Sequence, residues 1–297
     1  MYRPWFASFR HARKNSELST DFSSSHCFIV SLQFRSAEEC DLEAATFVKL
    51  GRHPGLVSYM GTCTNPSEQI ILTEYAPHVS LSELLKQRSG NLTFPHRLAM
   101  MKQISSAMEA MAEVHIVHRD LASRNVLVFH FEPNNPQRTR VKISDFRLSV
   151  GTHGRSYRHV ANDTVLPYRW MSPEAIQERH FSEASDMWAM GVTMWEILTG
   201  GEMPYADNDD DDHVKQQVCE GTLRLSRPDG CPEGLWFLIK DKCWNVDPKR
   251  RPSFRDLSIA LENIEGSSLY GAAAERAAAE RARSQPQVSS GSFLRQV

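Results

Sequence analysis

The stretch VHRDLASRNVLV, residues 117–128, is the most informative part of this sequence because it places polar side chains directly before an apolar strand. Asp120 and Asn125 lie five residues apart in it, and Asp145 follows Asn125 by twenty residues, at the end of a second apolar run, RVKISDF. An acid that can accept a hydroxyl proton, an amide oxygen and a second carboxylate suit magnesium-bound phosphate, because Mg²⁺ takes a few oxygen ligands plus water and phosphate. The three residues therefore predict a site for phosphate chemistry.

Composition argues against several classes of function. The 297 residues are 41% hydrophobic and 24% charged, as in ordinary globular proteins, and the formal net charge of −2 indicates neither a nucleic-acid nor a membrane-surface binder. The six cysteines form no CxxC or CxxH pair, which predicts reduced thiols and a cytoplasmic protein. The acidic run DNDDDDH, 207–213, lacks the spacing of a calcium loop and is expected to be a solvated loop.

Strand patterns precede helix patterns along the chain, which indicates an α+β fold. Runs rich in β-branched and aromatic residues predict strands within 27–34, 56–63 and 69–76. The sequence over 36–50 instead predicts a helix. From Leu81 the pattern is mainly helical, and one apolar stripe is assigned to the core: Leu98, Met101, Ile104, Met108 and Met111.

The most apolar segment, 187–198, is too short to span a membrane and contains Glu196, so it predicts a helix buried in a large core and no membrane span. Residues 1–26 are expected to be poorly ordered, and 266–297 to comprise a linker, a short Ala/Glu/Arg helix and a disordered tail. The folded domain is expected over 27–265, with an N-lobe to about residue 73, a hinge over 74–80 and a C-lobe over 81–265.

Several motifs in the right order make the chain similar to a protein tyrosine kinase catalytic domain. HRDLASRN resembles the catalytic loop of that family, and SDFRL stands where DFG is expected. LPYRWMSPEAI, 166–176, resembles the segment that ends in APE, while 185–205 and 243–254 resemble the buried helix and the closing RPSF element. The resemblance covers roughly residues 27–265 and implies two lobes, a small, incomplete, β-rich N-lobe and a larger helical C-lobe.

The resemblance also implies roles for individual residues. Asp120 would be the catalytic base, and Arg124 would lie near the substrate tyrosine. Asn125 and Asp145 would hold Mg²⁺ against the phosphates of ATP. The adenine pocket would be formed by the gatekeeper Thr73, the backbone of Glu74 and Ala76, and the side chain of Leu127.

Four further residues are given structural or regulatory roles by the same resemblance. Glu174 and Arg251 would form a buried ion pair, and Asp186 would brace the backbone of the catalytic loop. Tyr157 lies where the family carries activating phosphotyrosines, and the alternative is an ordinary exposed tyrosine.

The sequence departs from the family pattern in the residues that handle nucleotide. It has no glycine before Gly51, so the phosphate-cradling loop is absent from WFASFRHARK, 5–14. The lysine of the VAIK strand is replaced by Gln33, or by Ser31 in another register, although Glu43 matches the glutamate that should pair with it. A neutral glutamine supplies no full positive charge to phosphates; Lys14, Arg10 or Arg13 from a neighbouring strand is the alternative.

Arg147 is the third departure, because it stands in place of the DFG glycine. Glycine at this point permits backbone conformations that are unfavourable for other residues, so we expect Arg147 either to bias the segment towards one state or to pair with Asp145 and compete with metal.

Three functions are therefore weighed. The first is a protein tyrosine kinase that uses ATP and Mg²⁺ on protein substrates, with an N-lobe that is degenerate or whose true first segment lies upstream. The second is a pseudokinase that binds regulatory kinase or adaptor partners. The third is a scaffold that uses the fold only structurally. The complete set of Asp120, Asn125 and Asp145 places the tyrosine kinase first.

Overall fold

In the first part of the protein, between residues 29 and 74, the described residues form a small antiparallel sheet with one helix. The structure is a computed structural model that describes residues 29–33, 37–64, 69–88, 92–152, 158–159 and 166–266. Its sheet has the strand order β1-β3-β2, with Val30 opposite Thr73 and Gln33 opposite Ile70. The elements are β1 (Ile29–Gln33), α1 (Ala37–Leu50), β2 (Tyr59–Thr64) and β3 (Gln69–Glu74).

The second part is mainly helical. Its helices are α2 (Leu81–Arg88), α3 (Phe94–Glu113), α4 (Pro173–Gln177), α5 (Glu183–Thr199), α6 (Asp211–Glu220), α7 (Glu233–Phe237), which continues as a π-helical segment over Leu238–Cys243, and α8 (254–266). Where the structure describes this part of the chain, three antiparallel strand pairs lie among the helices: β4 (Ile116–Val117) with β7 (Val150–Gly151), β5 (Val126–His130) with β6 (Arg140–Ile143), and β8 (Arg158–His159) with β9 (His180–Phe181).

Helix α5 is the centre of the core, as its apolar sequence predicts. It begins with a capping box in which Ser182 and Ser185 satisfy each other's backbone N–H groups, and it ends at Gly200, whose φ of 81° is left-handed. Every residue over 185–198 is buried. The predicted stripe of α3 packs in the same core, which continues into the first part through Phe47 and Ile71. One continuous core therefore holds the sheet against the helices.

The α+β fold class with a small, incomplete N-lobe is confirmed, and the strands and helices predicted in the first part are present. In the part of the chain described by the structure, no helix has both the length and the apolarity needed to cross a membrane. The expected loop over 207–213 is only partly a loop, because Asp210 caps α6 and Asp211 begins it. Residues 1–26, Tyr157 and all but the first residue of 266–297 lie outside the described residues.

Candidate active site

The loop between β4 and β5 carries Asp120 and is held in place by hydrogen bonds to side chains of α5. The two carboxylate oxygens of Asp186 accept the backbone N–H groups of His118 at 2.7 Å and Arg119 at 3.0 Å. Burial raises the pKa of Asp186 to about 6, although these hydrogen bonds and the nearby basic groups favour its ionised form. Asp186 thus braces the loop backbone in the way the sequence resemblance implies.

A second carboxyl group of α5, that of Glu196, supports the same loop, although no role was predicted for it from the sequence. Glu196 accepts the backbone N–H of Ser123 at 3.0 Å, its hydroxyl at 2.7 Å, and Nε1 of Trp170 at 2.9 Å. The guanidinium of Arg124 lies 4.2 Å from the centre of the Trp170 ring and forms an ion pair with Asp120. Glu196 is the single acid within the apolar run 187–198, and this was the signal that could have identified it, because a buried carboxyl group needs partners.

Hydrogen bonds of Asn125 hold the start of β5 beside the end of β6. Nδ2 of Asn125 donates to the backbone oxygen of Asp120 at 2.7 Å. The carbonyl of Asn125 accepts the backbone N–H of Ser144 at 2.8 Å and its hydroxyl at 2.9 Å. Since Ser144 directly precedes Asp145, the structure brings together the four residues predicted to carry the chemistry: Asp120, Arg124, Asn125 and Asp145.

The residue after Asp145 connects the site to α1 through aromatic contacts. The buried ring of Phe146 lies 4.9 Å from that of Phe47 and 5.6 Å from that of His118, measured between ring centres. Phe47 in turn stacks on Tyr59 of β2 at 5.5 Å. These rings run from the catalytic loop into the first part of the protein, so the position of the Asp145 segment depends on the packing of α1.

Arg147 pairs with Asp145, which is one of the two outcomes expected from the sequence. Its Nε donates to Oδ1 of Asp145 at 2.7 Å and its Nη2 donates to Oδ2, so both carboxylate oxygens face the guanidinium. The left-handed backbone conformation of this segment belongs to Asp145, with φ of 62°, and not to Arg147. This left-handed conformation therefore does not require a glycine at position 147.

Glu43 lies beside this pair, and among the described residues no lysine or arginine forms an ion pair with it. It is buried, its Oε1 accepts the backbone N–H of Phe146 at 3.1 Å, and its Oε2 has no hydrogen-bond partner among the described residues. Burial, and secondarily the charge of Asp145, raise the pKa of Glu43 to about 8. Gln33, at the expected lysine position, lies at the end of β1 with its backbone opposite Ile70.

The residues predicted to contact adenine surround the link between β3 and α2. Thr73 and Ala76 are buried, and Leu127 is half-buried on β5. The backbones of Leu127 and Ser80 form an antiparallel β-bridge, which places β5 beside the predicted hinge. Their roles towards adenine stay predictions.

The side chain of Glu74 is used to tie the two parts of the protein together. It accepts Nζ of Lys142, from β6, at 2.6 Å and the backbone N–H of Ser58 at 2.7 Å. Burial opposes ionisation of this carboxyl, but the hydrogen bonds from Lys142 and Ser58 outweigh it and lower its pKa. Sequence spacing gave no signal for the pair with Lys142, because the two residues are 68 positions apart.

Magnesium does not fit the residues as they are arranged. Its predicted carboxylate ligand, Asp145, presents both oxygens to Arg147, and the second acid of the site, Asp120, is paired with Arg124. Among the described residues no group of three or more His, Cys, Asp or Glu side chains could hold a metal ion. A divalent cation would have to displace a guanidinium from a two-oxygen contact before it could bind.

The predicted ion pair between Glu174 and Arg251 is present. Two guanidinium nitrogens of Arg251 donate to the two carboxylate oxygens of Glu174, at 2.6 and 2.9 Å. Arg251 also donates to the carbonyls of Ala184 and Asn245, at 2.8 Å each, and its side chain has 0% exposure. The pair joins the start of α4 to the beginning of α5 and to the loop before α8.

Comparison with known proteins agrees with this geometry. The family described as protein tyrosine and serine/threonine kinase matches residues 26–261. The chain is 38% identical over 227 residues to human "Inactive tyrosine-protein kinase 7", covering 74% of this chain and 20% of that protein. It is 35% identical over 216 residues to chicken "Ephrin type-B receptor 2", covering 71% and 20%.

A third relative is the "Tyrosine-protein kinase transforming protein Abl" of Abelson murine leukemia virus, 36% identical over 226 residues, covering 75% of this chain and 29% of that protein. The matched part of this chain thus spans between a fifth and three tenths of the length of these relatives. The family match covers well over half of this chain, and hydrogen bonds link several of the motifs that carry the resemblance. The chain belongs to the protein tyrosine and serine/threonine kinase family.

Proposed function

We propose that this protein is a pseudokinase, a kinase-fold domain that binds and regulates partner proteins without transferring phosphate at an appreciable rate. The observation that carries the proposal is the contact of Arg147 with both carboxylate oxygens of Asp145. Phosphoryl transfer depends on positive charge at the phosphates, and removal of such charge lowers the rate by orders of magnitude. Here the acid expected to hold the metal ion is neutralised by the protein itself.

The surroundings of Glu43 support the same proposal. In an active kinase of this family a lysine pairs with this glutamate and contacts the phosphates. Within the described residues Glu43 forms no ion pair, and burial favours its uncharged form. The relatives include "Inactive tyrosine-protein kinase 7" of human, chicken and mouse, whose name carries the word "inactive".

The second candidate is the tyrosine kinase predicted from the sequence, which would transfer the γ-phosphoryl group of ATP to tyrosine hydroxyls of protein substrates. Asp120 would be its base, with Asn125 and Asp145 at the metal ion. The supported catalytic loop favours this candidate, because Asp186 and Glu196 hold its backbone at His118, Arg119 and Ser123. It requires that Arg147 leave Asp145 when nucleotide and metal arrive.

One assay separates the two candidates. Purified protein is incubated with ATP, Mg²⁺ and a tyrosine-containing peptide, beside the variant Asp120→Asn, and phosphotyrosine is measured with time. If the protein is a pseudokinase, the unaltered protein and Asp120→Asn should form the same amount of phosphotyrosine. Phosphotyrosine clearly above the level of Asp120→Asn would refute it and establish the kinase.

The expected partners are a regulatory kinase or an adaptor protein. We also propose that the protein acts in the cytoplasm, and the five cysteines in the described residues, all free, are consistent with a reducing compartment. A fluorescent fusion examined in cells tests the location, and exclusion of the fusion from the cytoplasm would contradict it.

A further inference from the structure

The contact between Arg147 and Asp145 is a two-point contact at the surface of the site. Nε and Nη2 of Arg147 address the two oxygens of Asp145, which leaves Nη1 outside the pair. The side chain of Arg147 is 51% exposed, whereas that of Asp145 is 22% exposed. A guanidinium is planar and matches a carboxylate at two points, while its remaining N–H groups can still donate to a second anion.

The charges around this contact are balanced by the protein alone. Asp145 is paired with Arg147 and Asp120 with Arg124, so each of these carboxylates has a guanidinium partner. Glu43 is buried and receives the backbone N–H of Phe146. Asp145 and Asp120 therefore lack the excess negative charge that attracts a divalent cation and that, without a cation, repels phosphate.

The pair also cannot be released by deprotonation in the physiological range. Arginine remains protonated in proteins, so the guanidinium keeps its charge beside Asp145. Only a competing cation or a movement of the side chain can separate the two groups.

We propose that Arg147 is a resident counter-ion that takes the place of a divalent metal at Asp145, so that this site binds the phosphate groups of a nucleotide without metal. The inference rests on the proposed function, because a kinase-fold module that does not transfer phosphate needs no metal for chemistry. The exposed guanidinium of Arg147 donates to phosphate oxygens, while Asp145 holds that guanidinium in position.

ATP is the probe, and its binding is measured by isothermal titration calorimetry with EDTA and with excess Mg²⁺. For the unaltered protein we expect the two dissociation constants to agree within about twofold, because Arg147 already neutralises Asp145. For Arg147→Gln we expect binding in EDTA to weaken by about tenfold or more, the loss of a charge-assisted contact, and Mg²⁺ to restore part of it. Arg138→Gln is the matched control, because Arg138 forms an exposed ion pair on the β5–β6 loop and should leave both constants unchanged.

The metal is also tested alone. Mn²⁺ is titrated into the unaltered protein, into Arg147→Gln and into Arg147→Gln combined with Asp145→Asn. We expect binding to appear in Arg147→Gln and to disappear again in the double variant. Melting curves establish that the variants fold, and if they do not, Mn²⁺ binding to the unaltered protein remains decisive, because tight binding there would overturn the inference.

Two further results would overturn the inference and leave the proposed function standing: ATP that binds the unaltered protein only with Mg²⁺, or ATP that does not bind under either condition. Phosphotyrosine formation in the peptide assay would instead refute the proposed function. The two failures are therefore distinguishable.

Discussion

Replacing Glu174 by glutamine should destabilise the protein strongly, because the buried guanidinium of Arg251 would lose its counter-charge. The two side chains share two hydrogen bonds of 2.6 and 2.9 Å, and Arg251 is completely buried. Removal of one partner of a buried ion pair lowers the free energy of unfolding by about 3–5 kcal/mol. Glutamine keeps the shape and one acceptor oxygen, and Arg251 keeps its two carbonyl acceptors, so we expect the lower end of this range, about 3 kcal/mol.

This value can be converted into a melting temperature. For a domain of this size each kcal/mol lowers Tm by about 2–4 °C, so Glu174→Gln should lower it by about 6–12 °C in scanning calorimetry. Glu233→Gln is the control, because Glu233 pairs with Arg227 in an exposed ion pair and should change the free energy of unfolding by no more than about 1 kcal/mol.

A double-variant cycle adds a second check. Arg251→Met should be much less destabilising in the Glu174→Gln background than alone, since contacting residues are not additive. The reasoning would be refuted if Glu174→Gln melted with the control variant, or if the two substitutions at the ion pair were simply additive.

Three other substitutions test the core and the site. The pKa of Glu43 is raised to about 8 in the folded protein, so between about pH 4.5 and 8 the folded state keeps a proton that the unfolded chain has lost. The free energy of unfolding should therefore fall as pH rises through this window, by up to about 1.4 kcal/mol per pH unit. In urea unfolding, Glu43→Gln should abolish that fall. An unchanged pH profile would contradict this. Glu196→Gln should lower the free energy of unfolding by about 1–3 kcal/mol, because an amide NH₂ would face donors; wild-type stability would show that Glu196 does not support the loop. Gly191→Ala should lower the free energy of unfolding by about 1–3 kcal/mol, because the added Cβ would lie 2.6 Å from Nε1 of Trp244. The control Gly234→Ala, on α7, places its Cβ in open space and should be neutral or slightly stabilising. Equal changes of the melting temperature for the two variants would refute the packing argument.

The fold was largely predictable because its signals are local. Strand β1 and helices α1 and α5 follow directly from β-branched runs and helical periodicity, and the apolar sequence of α5 predicts its burial. The acidic run was only partly predicted, because Asp210 satisfies a backbone N–H at a helix start and charge composition alone does not reveal a cap.

The sequence predicted some contacts around the candidate site, such as that of Asp186 with the catalytic loop, but not others. Motif order identified Asp120, Asn125 and Asp145, and left two outcomes open for Arg147. A choice between them needed three-dimensional geometry, because a residue two positions away can reach the carboxylate or point away from it. The pair of Glu74 with Lys142 had no local signal at all, since it joins residues that only folding brings together.

The ion pair of Arg147 with Asp145 has a consequence for how this site can change in evolution. Every arginine codon becomes a glycine codon by substitution of its first base, so a single point mutation would remove the guanidinium and leave Asp145 in place. A metal site that had been lost by erosion of its ligands would need several coordinated changes to return. Here Asp145, the predicted ligand, is retained and paired with Arg147, and natural variation at one nucleotide position would be enough to leave it unpaired.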